Sequence, residues 1–224
     1  CIPTEWIMEA QERWEPDGLR DLKMTAMGVD VAQGGADNTV IAPRYGSWYA
    51  PLIRKDGKAT PTTPDVTGMV VAHLRHGAGV VIDIGGGYGV GPAIQLKENG
   101  VSVLQFDGSK PTRAQAVGSN LGFINKRAEA WWKFREALDP GQDGGSPVAL
   151  PPDRQLLADL TAPRYEVVSR GLKIEQKVDI KKRLGRSPDD GDAVVMAFSE
   201  GQRLAVRKTR EMGKKPTVNL GYSG

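Results

Sequence analysis

Gly28-Val29-Asp30-Val31-Ala32-Gln33-Gly34-Gly35-Ala36-Asp37-Asn38-Thr39-Val40 is the stretch on which the reading of this chain turns. Together with Met24–Met27 its first half is apolar enough to be a buried strand over residues 24–32, yet it carries a carboxylate, Asp30, between Val29 and Val31. A carboxylate in a hydrophobic strand is costly unless it is paired, protonated or bound to a metal. Gln33–Asn38 is turn chemistry, rich in Gly, Asp and Asn. Thr39–Tyr45 and Ser47–Ile53 read as two more strands, with a turn over Lys55–Lys58, so the opening predicts an antiparallel meander.

Downstream, Thr63-Pro64-Asp65 starts a helix reaching about His76. Gly79–Ile84 reads as a short buried strand and holds a second carboxylate, Asp83, between Ile82 and Ile84. A glycine-rich turn (Gly85–Gly91), a helix over 92–99 closed by Gly100 and a strand over Val101–Phe106 follow. Strands alternating with helices after a meander predict a mixed α/β sheet with helices on its faces. Asn125–Leu138 is a further helix, 139–153 a Gly/Pro-rich loop and Arg154–Leu160 a short helix. Tyr165–Val168 and Leu172–Gln176 flank Gly171 as a hairpin. Ser187-Pro188-Asp189-Asp190 opens a helix to about Val206, with Ser187 as its cap, Pro188 in first place and acids in its first turn.

The composition is that of a globular domain: 224 residues, 39% hydrophobic and 25% charged. One cysteine, Cys1, allows no intrachain disulfide and excludes Cys₄ and Cys₂His₂ zinc sites. No apolar run approaches the roughly 20 residues of a membrane span, and no signal peptide opens the chain. Without an initial Met, the sequence is expected to be a piece of something longer. The net charge of +3 conceals an asymmetry. Residues 170–186 hold seven basic and two acidic residues, and 201–224 hold six and one, so each segment is +5 and the remainder −7. Concentrated basic charge is the footprint of a polyanion binder, although a solvated helix face and a loose tail would read the same way.

Four acids carry the chemistry. Asp30 and Asp83 sit on strands, and Asp189 and Asp192 lie three apart, on one face of the last helix. Three of them have an ordinary structural alternative: Asp30 as a turn residue, Asp83 as a strand end, and Asp189, with Asp190, as a helix-capping acid. If they converge, they repel one another until hard divalent cations, which prefer oxygen ligands, are bound. Two such ions about 3.5–4 Å apart can clamp a phosphodiester, one activating water and the other stabilising the leaving oxygen. A chain with two His and one Cys suits that chemistry.

Gly28–Val40 resembles the opening strand of the nuclease domain of tailed-phage terminase large subunits. Val80-Val81-Ile82-Asp83 with its glycine turn resembles that family's second acidic strand. Asn125-Lys126-Arg127-Ala128-Glu129 with Trp131, and Lys181-Lys182-Arg183-Leu184-Gly185-Arg186-Ser187-Pro188-Asp189-Asp190-Gly191-Asp192-Ala193, resemble its later segments. Gly191 is a departure, since alanine is common there. The resemblance implies an RNase H-like fold of the RuvC/integrase type: a mixed β-sheet flanked by helices, with an auxiliary hairpin near residues 164–176. It implies a Mg²⁺- or Mn²⁺-dependent DNA endonuclease that uses two ions to cut concatemeric viral DNA with little sequence specificity. Asp30, Asp83, Asp189 and Asp192 would be ligands, Asp37 a supporting or alternate ligand, and Lys181, Lys182, Arg183 and Arg186 contacts to the DNA backbone. The expected layout is a linker or lead-in helix over 1–21, the nuclease domain over 22–206, and a basic, disordered tail over 207–224. The implied partners are double-stranded DNA, the terminase ATPase domain, the small terminase subunit and the portal, in the host cytoplasm and away from membranes. No Gly-x-x-x-x-Gly-Lys-Ser/Thr motif is present, so the ATPase is not in this sequence.

Four rivals remain at this level. The Asp-x-x-Asp spacing of Asp189 and Asp192 also resembles RuvC-like junction resolvases. A dinucleotide fingerprint fails in Gly85–Gly91, because Val90, Pro92 and Ile94 stand where its last small residue belongs. An actin-like kinase shares the Asp, Gly-Gly, Thr pattern of Asp30, Gly34-Gly35 and Thr39, but needs two such domains. A non-catalytic DNA-binding or assembly module would use the basic segments alone. Trp131, Trp132 and Phe134 are candidates for base stacking or for the core.

Overall fold

A computed structural model describes residues 1–18 and 22–201. Ala26–Asp30 (β1) is buried along its whole length and ends on the carboxylate. It pairs antiparallel with Asn38–Tyr45 (β2), setting Asp30 opposite Val40. The third strand of the meander departs from expectation. The segment expected to run from 47 to 53 is interrupted, and two strands, Trp48–Tyr49 (β3) and Ile53–Asp56 (β4), share the outer edge of β2. The break falls beside Pro51, which has no N–H to give to a ladder. Lys55 and Asp56 close β4 instead of forming the turn, which shifts to Gly57–Ala59.

Thr63–His73 (α2), Gly79–Asp83 (β5), Val90–Glu98 (α3) and Val103–Phe106 (β6) complete the sheet, whose order is β3-β2-β1-β5-β6 with β4 also on β2. The β1–β5 and β5–β6 pairs are parallel and the β2 pairs antiparallel, so the sheet is mixed as expected. Two helical layers cover it. Val66 and Val70 of α2 and Ala93 and Leu96 of α3 pack on Met27, Val29, Val80 and Ile82. The opposite layer holds Thr4–Glu12 (α1), Lys126–Leu138 (α4), Arg154–Thr161 (α5) and Asp189–Ser199 (α7). Ile7 and Ala10 of α1 are fully buried there, as are Trp131 and Phe134 of α4, whereas Trp132 packs against Tyr165. The hairpin forms from Tyr165–Val168 (β7) and Gly171–Ile174 (β8).

The two-residue period of a strand sorts the side chains. Met27, Val29, Val80 and Ile82 face α2 and α3, so Gly28, Asp30, Val81 and Asp83 alternate onto the side of α7. A Cβ on Gly28 would stand 2.0 Å from the Ala193 carbonyl oxygen, so the missing side chain lets α7 lie directly on β1.

Two features before α7 differ from expectation. Lys177–Leu184 is a helix (α6), ended by Gly185 at φ 76°, where the sequence shows only a basic run. Ser187 does not cap α7: Pro188 takes the cap position, the Ser187 hydroxyl is buried without a hydrogen-bond partner, and the Asp190 N–H donates to Asp159 Oδ2 of α5 at 3.1 Å. The described part of α7 ends at Ser199; residues 202–206 and the expected tail over 207–224 lie outside the described residues.

Gly28→Ala is expected to lower stability by about 1–3 kcal/mol or more, because the helix must move off the strand. Gly68→Ala, in exposed helical surface with open space around it, is expected to raise stability by about 0.5–1 kcal/mol. Thermal or denaturant unfolding of both variants checks the contrast.

Candidate metal centre

The carboxylates meet where β1 and β5 end and α7 begins. Asp30, Asp189 and Asp192 are all buried, and the ammonium of Lys177 stands among them. Its Nζ donates to Asp30 Oδ2 at 2.6 Å, and it lies 2.9 Å from Asp189 Oδ1 and 3.7 Å from Asp192 Oδ2. Lys177 is the first residue of α6, so the helix absent from the sequence reading delivers this cation. Asp83 accepts the Gly85 N–H at 2.8 Å and lines a small crevice with Asp192, Arg127 and Trp131.

The electrostatics follow from burial and crowding. Burial raises the Asp30 carboxyl well above its ordinary range; Lys177 opposes this, while Asp189, Asp83 and Asp192 add to it. Burial also raises Asp83, against the pull of the Gly85 N–H, and Asp192 adds to the rise. Burial draws the Lys177 ammonium down, but Asp30, Asp192 and Asp189 more than offset it and hold the group well above its usual value.

Asp192 is held from behind. Its Oδ1 accepts from the Trp131 indole at 3.0 Å and from the Arg127 guanidinium, while its Oδ2 is buried without a hydrogen-bond partner. On another side of α7, Asp190 is fully buried and receives Arg54 in a bidentate pair at 2.7–3.1 Å, and Arg54 also reaches Asp153. Asp159, fully buried on α5, caps α7 with one oxygen and takes Arg186 with the other.

The remaining sequence candidates lie around this centre. Asp37 pairs with Lys181 at 2.6 Å, not with Lys177. Lys182 stands near Asp179, Arg183 binds Glu175 and the Ala162 carbonyl, and Arg186 is committed to Asp159. Lys177 and Arg54 were not singled out by sequence reasoning. Lys177 lies inside the basic segment 170–186, and Arg54 between the expected strand over Ser47–Ile53 and the turn over Lys55–Lys58. Arg127 and Trp131 lie in a segment that carries the resemblance, Arg127 without a role and Trp131 only as a candidate for base stacking or the core.

Among the described residues, no three or more His, Cys, Asp or Glu are arranged to hold a metal ion as the side chains stand. The donor set nevertheless fits one. It is all carboxylate, suited to hard cations; one oxygen of Asp192 has no donor; and an ammonium already sits where positive charge is required.

No protein-family model and no curated protein sequence matches the chain. Solved structures do. The nuclease domain of the large terminase subunit gp2 of bacterial virus Sf6 superposes with a TM-score of 0.65 at 21% identity, covering 87% of this chain and 96% of that one. A mutant of that domain with manganese and β-thujaplicinol gives 0.63 at 20% identity over the same shares. The large terminase nuclease from thermophilic phage G20c, with bound magnesium, gives 0.51 at 20% identity, covering 84% of each chain. The fold is thus the RNase H-like mixed sheet of phage terminase nuclease domains, as the resemblance implied.

Lys177→Ala is expected to destabilise the chain in EDTA by at most about 3–5 kcal/mol, the cost of stranding buried charge. The loss is less than for a fully buried pair, since the Lys177 side chain is 34% exposed. Mn²⁺ is expected to raise the melting temperature of the variant more than that of the parent. A variant whose melting temperature ignores Mn²⁺ would speak against a cation-demanding cluster.

Proposed function

We propose that this chain is a divalent-metal-dependent DNA endonuclease, the nuclease part of a phage packaging terminase that cuts concatemeric viral DNA. The observation that carries the reading is the convergence of Asp30, Asp189 and Asp192 on one ammonium, with Asp83 beside them, on a fold shared with terminase nuclease domains.

Asp30, Asp83, Asp189 and Asp192 would hold Mg²⁺ or Mn²⁺ in this reading, two ions in all. Bound divalent ions would supply an activated water and stabilise the leaving 3′ oxygen of a phosphodiester. Asp30 would serve both ions in this reading, since its buried carboxylate shares the Lys177 ammonium with Asp189 and Asp192. Asp192 offers Oδ2, its other oxygen being taken by Trp131 and Arg127. Lys177 neutralises part of the cluster, and the oxygens it contacts on Asp30 and Asp189 are ones that a cation would take. Gly85–Gly87, in the turn after Asp83, are exposed and carry no side chains, so a phosphate backbone could come close there.

Lys181 and Lys182 on α6 are the most exposed of the four basic candidates, and they are assigned to hold the DNA backbone beside the centre. Arg183 and Arg186 extend that positive face while bracing Glu175 and Asp159. Contacts to phosphate fix position without reading bases, so cutting should be nearly indifferent to sequence and steeply salt-dependent. Double-stranded DNA is the proposed substrate. An ATPase domain outside this sequence, a small terminase subunit and a portal are the proposed partners, in the host cytoplasm.

The test is nicking of supercoiled plasmid in Mn²⁺, Mg²⁺ or EDTA. Cutting is expected only with a divalent metal, and Asp30→Asn and Asp83→Asn are each expected to reduce it at least about 100-fold, the scale of losing a group that stabilises the transition state. Equal cutting by parent and variants would place the activity elsewhere and overturn the assignment.

A further inference from the structure

Gly191 and Trp131 form a contact that neither residue type alone would suggest. A Cβ on Gly191 would stand 2.9 Å from Trp131 Cη2 and 3.3 Å from the Asp159 backbone. The glycine therefore makes the room in which the indole lies, 1% exposed, against the first turn of α7. From that seat Trp131 Nε1 reaches across from α4 and donates to Asp192 Oδ1 at 3.0 Å. An indole has one donor and a rigid ring, so its direction is fixed by packing rather than by rotamer choice. The Arg127 guanidinium, stacked over the same indole at 5.5 Å, donates to the same oxygen. Asp192 Oδ2 is left buried, without a hydrogen bond, facing Lys177.

We infer that Trp131 is a positioning residue for the metal centre, admitted by Gly191, and that it selects Asp192 Oδ2 as the oxygen offered to a cation. The inference rests on the reading of the cluster as a divalent-metal site. Groups that hydrogen-bond a ligating carboxylate set its orientation, and their loss typically weakens metal binding 10–100-fold. A tryptophan that merely filled the core would affect folding and leave the cation's affinity alone.

The experiment is titration of the full chain with Mn²⁺ by calorimetry, with the melting temperature measured in parallel. Trp131→Phe retains a ring and loses the N–H, and its Mn²⁺ affinity is expected to fall about tenfold. In an Asp192→Asn background the same change is expected to have no further effect. Gly191→Ala favours the helix by propensity, so it separates stability from affinity. It is expected to weaken Mn²⁺ binding by displacing the indole, and to weaken it less once Trp131 is Phe, which relieves the 2.9 Å approach and leaves the 3.3 Å contact with the Asp159 backbone. Should Trp131→Phe fail to fold, Gly191→Ala alone decides. Mn²⁺ affinities within twofold of the parent in the folded variants, while Asp192→Asn loses binding, would overturn the positioning role and leave the metal site standing. A parent chain that binds no Mn²⁺ would overturn the metal reading, and this inference with it.

Discussion

Like charge gathered out of water is the constraint around which this molecule is organised. Asp30, Asp83, Asp189 and Asp192 contribute four formal negative charges at one end of the sheet, and Lys177 and Arg127 return two positive ones. At an effective dielectric constant near 20, two carboxylates 4 Å apart repel by about 4 kcal/mol. The N-terminus of α7 adds a fraction of a positive charge from its free N–H groups. The balance stays negative, and the neighbouring acids add to the rise that burial alone imposes on the Asp30 and Asp83 carboxyls. A structural cluster could be neutralised by further lysines or arginines; this one leaves an oxygen of Asp192 without a donor.

Holding such a cluster together requires that the first turn of α7 be fixed on every side. Gly28 brings the helix onto β1, so that Asp30 and Asp192 share a face. The next constraints fall on consecutive residues: Arg54 clamps the Asp190 carboxylate, Asp159 takes the Asp190 N–H, and the indole of Trp131 rests on Gly191 and bonds Asp192. These partners come from β4, α5 and α4, so three elements outside the carboxylate cluster fix the first turn of α7 and the direction of Asp192. Asp153 and Arg186 extend the same brace outward. Three buried carboxylates, Asp159, Asp190 and Asp192, belong to it.

What the sequence made legible was whatever obeys a short period. Two buried strands each carrying one acid could be read directly, and the two-residue alternation then puts both acids on one face. The helix bearing Asp189 and Asp192 was readable from its acids, but its cap was not. Ser187-Pro188 is a strong local signal, and a carboxylate thirty residues away displaced it. The helix α6 was invisible because Ile180 is its one buried side chain, so it shows no apolar period. Its first residue, Lys177, therefore read as one more charge in a basic run, although it alone touches three of the four acids. The third strand failed at Pro51, a breaker with a known mechanism that the apolar run around it had masked.

An identity of 21% over 87% of the chain, at a TM-score of 0.65, indicates how few positions the fold demands. Alternating apolar strands tolerate exchange among Val, Ile and Met as long as volume and parity survive. A glycine where a helix lies on a strand cannot be exchanged so freely, because no side chain is small enough for a 2.0 Å approach. The support around a ligand falls between these cases: a carboxylate must be oriented, but an indole, a guanidinium or an amide can each supply the N–H. The fold can therefore be shared while the groups behind each acid are solved anew, one local packing problem at a time. Gly191 and Trp131 are this chain's solution, since an indole seated against α7 requires that the helix give up a side chain there.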